Sequence, residues 1–223
     1  MPIAVSGTPT TSASTAAVTT LAINVPAGIA NGDLLVWVAS GNVATAAPTP
    51  AGWTVYQTAT GTSQNLSIFY RFAASEPASY THSTLTSGRW VMSMAGFSGV
   101  NSTPLDVAVP AAVAGTTALT FPAITPVTAG AWTLAIGHVQ GATGAVFVFS
   151  AGNNDALVVT NAPNTTAINP SHAMARRAWT SGAFTPTMTY TGTSTRTLGS
   201  TGALRPSTGA APAVRYRTIG KRR

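Results

Sequence analysis

The alternation of apolar and polar residues is the sequence feature that most constrains the fold of this chain. It is typical of half-buried strands and is incompatible with long amphipathic helices. In LSIFYRF, the residues Leu66, Ile68, Tyr70 and Phe72 share one face of an extended chain, and Ser67 lies on the other. The same period of two recurs in RWVMSMAGF and AWTLAIGHV. No apolar stripe at helical spacing persists for three turns. The sequence therefore predicts an all-β protein.

Central strands that are covered by a second sheet are apolar on both faces, and this pattern occurs in GDLLVWVAS and GAVFVFS. Further candidate strands are VTTLAINVP, GWTVYQTA, ALVVTNA, HAMARRAW and PTMTYTG. Turn clusters such as ANGD, SGVNSTP and AGNND separate the strands too closely for crossover helices. We therefore predict a single antiparallel two-sheet β-sandwich, jelly-roll-like in its topology.

One weak internal similarity bears on the domain organisation. An apolar entry with proline, a glycine-containing turn and a strand with tryptophan occur in both INVPAGIANGDLLVWVA and FPAITPVTAGAWTLAIG. The similarity indicates either equivalent strands of one sandwich or two domains, and we favour one sandwich. The predicted organisation is an N-terminal extended segment at 1–14, a β-sandwich domain at 15–206 and a basic C-terminal arm at 207–223.

The charge of the chain is concentrated at its carboxyl end. The net charge is +7, yet only 7% of the residues are charged, far below the roughly 25% of a typical globular domain. Up to Leu204, five arginines face four carboxylates, whereas six cations and no acid follow from Arg205 onward. The excess of positive charge therefore belongs to the predicted arm and not to the body.

The arm begins with small residues and ends in cations, a composition typical of a segment that leaves a domain. Its 17 residues from Ser207 reach about 55 Å when extended, which is enough to cross onto a neighbouring subunit. VRYRTI alternates like a strand that can add to the sheet edge of a partner. The residues predicted to anchor a partner are Arg205, Val214, Arg215, Tyr216, Arg217, Lys221, Arg222 and Arg223. Nucleic-acid binding is disfavoured except through this arm, because the arginines of the body are scattered.

Residue patterns that would indicate catalysis are missing. Cysteine is absent, the three histidines form no metal-binding spacing, and no GxSxG, P-loop or dinucleotide-binding motif occurs. We predict no enzyme activity, no catalytic residue, no metal and no cofactor. A hydrolase remains an alternative if a deep pocket places Asp106 or Asp155 beside a histidine. No signal peptide and no apolar membrane span is recognised, so we expect synthesis in the host cytoplasm and no membrane contact.

Exposed aromatic rings on a β-sandwich can stack on sugars, which leaves a lectin-like role open. Among the five tryptophans only Trp53, in the turn-rich TPAGWT, is predicted to be exposed. Asn101, in the SGVNSTP turn, is the second candidate contact for a host glycan.

Several stretches, in order, carry a family resemblance: VPAGIANGDLLVWVAS, TPAGWT, LSIFYRFAASEPASYT, MAGFSGVNSTPLD and ALRP. Over roughly Ala22 to Pro206 the chain resembles a β-sandwich module of tailed bacteriophages, found in minor tail, accessory or decoration proteins of the virion. The resemblance implies a structural virion protein whose partners are major capsid or tail proteins, and we expect a homo-oligomer, with a trimer as the guess. The basic arm is not part of the resemblance.

Overall fold

The structure, a computed structural model, describes residues 1–116, 118–141, 146–149, 156–161, 170–191 and 196–208. Within these ranges the regular elements are all strands. Their bounds are β1 Ala4–Ala13, β2 Leu21–Asn24, β3 Leu34–Gly41, β4 Thr54–Gly61, β5 Gln64–Phe72, β6 Ser79–His82, β7 Trp90–Ser98, β8 Val100–Leu105, β9 Val113–Gly115, β10 Leu119–Thr120, β11 Trp132–Gln140, β12 Phe147–Phe149, β13 Ala156–Asn161, β14 Pro170–Ala178, β15 Thr187–Tyr190 and β16 Arg196–Pro206.

Two large antiparallel sheets form the centre of the molecule. One has the order β1-β7-β3-β5-β4, and the other has the order β13-β14-β11-β16-β8, with β9 also pairing with β16. The sheets share one core of alternating residues. From the first sheet come side chains such as Val36 and Ile68, and from the second Ile136 and Met174, all fully buried. These side chains lie on the faces that the alternation in LSIFYRF and AWTLAIGHV predicts to be buried, but the opposite faces of β5 and β11 are largely buried as well, so neither strand is half-buried as expected.

Two smaller sheets cover the outer faces of this central pair. The sheet of β2 and β6 covers the first large sheet, with Ile23 packed among Trp37, Phe69 and other outward-facing side chains. The sheet β10-β15-β12 covers the second large sheet, where Met188 packs near Ala135. Four β-layers therefore enclose three hydrophobic cores, and β3 is buried on both faces as predicted.

The two halves of the chain have the same plan. Each large sheet takes its strands from one half, and the order β1-β7-β3-β5-β4 corresponds strand for strand to β8-β16-β11-β14-β13. The outer pair β2 and β6 corresponds likewise to β10 and β15. The turn before the central strand is also repeated. Asp33 N donates to Ala30 O, Ala131 N donates to Thr128 O, both bonds measure 3.1 Å, and Gly32 and Gly130 both have positive φ.

The hydrogen-bond register of the halves agrees as well. Leu34 pairs with Phe72 and Phe97, and its counterpart Trp132 pairs with Ala178 and Leu204. Even the β-bulge in the outer strand recurs, between Val55 and Gln57 in β4 and between Leu157 and Val159 in β13. The weak similarity noted in the sequence thus belongs to a structural repeat, and the two halves share the central core between the large sheets.

The outermost strands of the large sheets are irregular, whereas the inner pairings run without interruption. Register shifts occur where β1, β4, β13 and β8 pair with their neighbours. The pairings of β3 and β11 with their neighbours contain none. Bulges at sheet edges twist the strand and disturb its row of free backbone groups.

These findings confirm the all-β class with antiparallel sheets, whereas the expected jelly-roll-like order of a single two-sheet sandwich is not confirmed, because the described strands form four sheets. Two finer expectations are revised. The segment at 1–14, expected outside the sandwich, supplies β1. GAVFVFS was expected to be a covered central strand, but β12 is an edge strand and Val148 is 54% exposed.

Candidate functional site

The base of the predicted arm is the site that the sequence emphasises, and Arg205 lies there at the end of β16. Its Nε atom is 3.4 Å from Asp106 Oδ1, and its Nη2 donates to the Asp106 backbone carbonyl at 3.1 Å. Arg205 is therefore tied into the folded domain, which corrects its assignment to the arm. Its guanidinium is engaged with Asp106 and is not a free anchoring charge.

Asp106 is the buried centre of this arrangement. Its Oδ2 accepts hydrogen bonds from the backbone amides of Val127 at 2.6 Å and Thr128 at 3.0 Å. Burial raises the pKa of the Asp106 carboxyl, but the hydrogen bonds from Thr128, Val127 and Arg205 outweigh it and hold the pKa below its usual value. The carboxylate therefore serves as a fixed acceptor for the turn that precedes β11.

The end of the described chain is fixed by backbone hydrogen bonds to Gly99 and Met1. Ser207 N donates to Gly99 O at 2.7 Å, and the Met1 ammonium group donates to the backbone oxygen of Ser207 at 3.1 Å. Gly99 has φ of +71°, and a side chain there would overlap the Pro2 carbonyl, so this position requires glycine. Residues 209–223 lie outside the described part of the chain. They include the anchoring residues Val214, Arg215, Tyr216, Arg217, Lys221, Arg222 and Arg223.

A pocket of about 490 Å³ opens beside this point, and we call it the root pocket. Its walls are mostly apolar or small. They include Met1–Ile3, the turn Thr128–Gly130, Trp132, Ala178 and the last described residues Pro206–Thr208. Among these lining residues no side chain carries a charge. One face of Trp132 is covered by the Arg176 guanidinium, whose Cζ is 4.1 Å from the ring centroid.

Trp53 is buried, contrary to the prediction. Only 6% of it is exposed, and its ring centroid lies 5.2 Å from that of Trp37 and 5.4 Å from that of Tyr80. Arg71 covers the same cluster, 5.8 Å above the Trp53 ring. No free ring face remains there for stacking on a sugar. Asn101 is half-buried in β8, where its Oδ1 accepts the Thr103 amide at 2.9 Å.

The other acids of the described body also make internal contacts. Glu76 lies 3.3 Å from Arg71 and accepts a hydrogen bond from the Tyr80 hydroxyl. Desolvation by burial raises the pKa of Tyr80 to about 12, and the hydrogen bond to Glu76 adds to this effect. Asp33 accepts the Ala30 amide at 2.9 Å and the Ser6 hydroxyl. These carboxylates stabilise turns, as the sequence indicated.

A polar cluster between the two large sheets was not recognised in the sequence. His172 lies with both ring nitrogens near hydroxyls, 2.7 Å from Ser93 Oγ and 3.1 Å from Ser40 Oγ. His138 is its cross-strand neighbour. Both histidines are fully buried, and burial lowers the pKa of each to about 3. The alternation itself was the only sequence signal, because it directs His138 inward along with Ile136.

The chemistry available at these groups is limited by burial. Asp106 makes its described contacts with amides and Arg205, not with a histidine, and Asp155 lies outside the described residues. Across the described ranges, no group of three or more potential metal ligands comes together. The same ranges contain no helix with the length and hydrophobicity needed to cross a membrane.

Comparison with known proteins returned no relative. No protein-family model, no curated protein and no solved structure matches the chain.

Proposed function

We propose that this protein is a non-enzymatic structural component of a bacteriophage particle, either a capsid decoration or a tail-surface protein. In this proposal a two-sheet β-sandwich supplies the rigid body, and the basic C-terminal segment fastens it to major capsid or tail proteins. The homo-oligomeric state, with a trimer as the working assumption, belongs to the same proposal. The phage setting rests on the resemblance of sequence stretches alone.

One observation carries the anchoring role: the sequence beyond the fixed end of the folded body contains cations without any acid, whereas all four acids of the chain lie in the body. Arg205 and Arg71 are engaged with buried carboxylates. Five cations and no acid follow Thr208 in the sequence. A segment of this charge favours an acidic groove on a partner, where arginine forms paired hydrogen bonds with carboxylates.

The fixed root of the segment supports the same role. Met1, Gly99 and Ser207 hold the chain where it leaves the domain. A tether transmits position only if its attachment point is rigid, because a loose base adds conformational entropy that binding must offset. The structure does not favour the lectin-like alternative, because the ring of Trp53 is buried among other aromatic rings.

Retention on purified particles tests the proposal. The full chain, a truncation that ends at Thr208, and a full-length variant with Arg215, Arg217, Lys221, Arg222 and Arg223 all replaced by Gln are compared by co-sedimentation. We expect the truncation and the Gln variant to be lost together, and the loss to increase with salt, because exposed ion pairs are screened. A variant with Thr218 and Ile219 replaced by Ala keeps the charge and every predicted anchoring side chain, and it serves as the matched control. Full retention of the truncated protein would defeat the proposal.

A further inference from the structure

We propose that ordered water molecules are bound between the two large sheets, at a group of five polar side chains that we call the polar layer. Each of these side chains is 0% exposed, and together they are Ser40, Ser93, His138, His172 and Ser200. The inference is independent of the proposed function, because it uses only residues inside the folded body.

Strand register directs two polar side chains of the second sheet into the shared core. His138 pairs directly with Leu198, and Ser200 pairs with the residue two positions before His138, which is Ile136. Leu198 and Ile136 both belong to the core between the sheets. Because paired residues on antiparallel strands point to the same face, His138 and Ser200 also face the first sheet. As diagonal neighbours they have Cβ atoms about 7 Å apart, a separation that the imidazole ring and one bridging water can span.

The first sheet supplies the other side of the polar layer. Ser93 Oγ and Ser40 Oγ lie 2.7 Å and 3.1 Å from the two ring nitrogens of His172. A neutral imidazole has one donor nitrogen and one acceptor nitrogen, so one of these serines accepts a hydrogen bond from the ring and keeps its own hydroxyl proton to donate. The polar layer therefore needs an acceptor beyond His172.

His138 and Ser200 contain buried polar atoms that make no hydrogen bond within the described residues. These atoms are both ring nitrogens of His138 and the hydroxyl oxygen of Ser200. The Ser171 backbone lies near the His138 ring and opposes the effect of burial on its pKa, but it forms no well-directed hydrogen bond with either nitrogen. Buried polar groups of native proteins nearly always bond to protein or ordered water, because an unpaired group loses the hydration that it has in the unfolded chain.

The chemistry of the polar layer favours a neutral occupant that both donates and accepts. Burial lowers the pKa of both histidines to about 3, so the layer carries no charge at neutral pH. An ion placed among uncharged groups in the interior is costly to desolvate. The unpartnered atoms offer donors, from the His138 ring and the Ser200 hydroxyl, and one acceptor, the second nitrogen of His138. Water serves both kinds of atom, and a buried water typically makes about three hydrogen bonds.

The test is ¹⁷O relaxation dispersion of water in solutions of the full chain, which counts water molecules that stay in the protein for longer than its tumbling time. Exchanging hydroxyl protons do not contribute, because the observed nucleus is the oxygen of water. Ser200→Val replaces the hydroxyl of the polar layer with methyl groups. Ser67→Val is the matched control, because Ser67 is also 0% exposed but its Oγ already accepts the Ala47 amide at 3.0 Å.

We expect Ser200→Val to have a smaller dispersion amplitude than the unaltered chain, which corresponds to fewer bound water molecules, and Ser67→Val to keep the full amplitude. Equal amplitudes in all three proteins overturn the inference. An equal loss in Ser67→Val overturns it too, because the lost water then does not belong to the polar layer. If Ser200→Val folds poorly, the ¹⁵N chemical shifts of the His138 ring in the unaltered chain decide. Hydrogen-bonded shifts at both nitrogens are expected, and the shift of a bare ring nitrogen overturns the inference.

Discussion

His172 bridges the two large sheets: its Nε2 lies 2.7 Å from Ser93 Oγ, although the two residues belong to opposite sheets. Ser40 Oγ is 3.1 Å from the other ring nitrogen. His138, next to His172 in register, has no hydrogen-bond partner for either ring nitrogen among the described residues. A polar contact therefore lies inside the mainly apolar interface, and no carboxylate of the described residues hydrogen-bonds to either histidine.

The first prediction concerns pH. Burial lowers the pKa of His138 and of His172 to about 3 from 6.5, with the neighbouring His138 adding to the effect on His172. Between these values the unfolded chain binds more protons than the folded one, so stability falls as pH decreases from 6.5 toward 3. Each histidine accounts for about 1.4 kcal/mol per pH unit. Urea unfolding at a series of pH values measures this slope.

His172→Gln serves as the companion variant, because an amide does not titrate in this range. We expect it to reduce the slope by about 1.4 kcal/mol per pH unit, whatever its effect on stability at neutral pH, while His138 and His82, whose pKa values burial also lowers, maintain the remainder. A slope that is the same in both proteins would show that His172 is not responsible.

The second prediction concerns Asp106. Asp106→Ala removes the charged acceptor of the part-buried Val127 and Thr128 amides and the ionic partner of Arg205, and loss of hydrogen bonds to a charged group costs about 1.5–3 kcal/mol. Arg205→Met removes only the ion pair, and the Arg205 side chain is 34% exposed, so solvent screening limits its cost to about 1 kcal/mol or less. Chemical denaturation of both variants should rank them in this order. The reverse ranking would contradict the assignment of Asp106 as the acceptor for the turn.

The third prediction concerns Gly202 in β16. A methyl group at this position would overlap the ring and hydroxyl of Tyr56, which reaches across from β4 and is 5% exposed. Gly202→Ala is therefore expected to destabilise the fold by about 1–3 kcal/mol, the usual cost of overpacking. The double variant with Tyr56→Leu should recover part of the loss. Strictly additive effects in this double-mutant cycle, measured by thermal unfolding, would place the two side chains out of contact.

The fourth prediction tests the position of Trp53. Because Trp53 packs against Trp37 and Tyr80, Trp53→Ala should lower the free energy of unfolding by about 3–5 kcal/mol. Thr54→Ala, at the exposed neighbouring position, should change it by less than about 0.5 kcal/mol. Tryptophan emission should also lose a blue-shifted component in Trp53→Ala only. Similar stabilities for the two variants would contradict the buried position of Trp53.

Part of the fold could be predicted from the sequence where apolar and polar residues alternate along a strand. β5, β7 and β11 were predicted from their alternation, and the structure confirms them. β16 was missed, although it is an inner strand of its sheet. Its residues include Gly199 and Gly202, which make room for Leu119 and Tyr56. Where side chains from other strands fill the space beside a glycine, the strand that carries the glycine shows no apolar periodicity of its own.

The repeat and the candidate site were harder to predict, for a different reason. Equivalent positions such as Phe72 and Ala178, or Ser40 and His138, share a place in the hydrogen-bond register but not a residue type. The two halves therefore share their backbone geometry and not their residue types, and one sequence does not reveal this similarity. Trp53 shows the same limit. The turn around it was predicted correctly, but the direction of its ring depends on Trp37 in another strand.

The irregular outer strands have a consequence for how such molecules tolerate crowding. Many copies held side by side bring their sheet margins to very high local concentration, where straight margins would zip together into fibrils. The register shifts in β1, β4, β8 and β13 interrupt the row of free backbone groups on which such pairing depends. Copies of this fold at high concentration are therefore expected to resist edge-to-edge pairing.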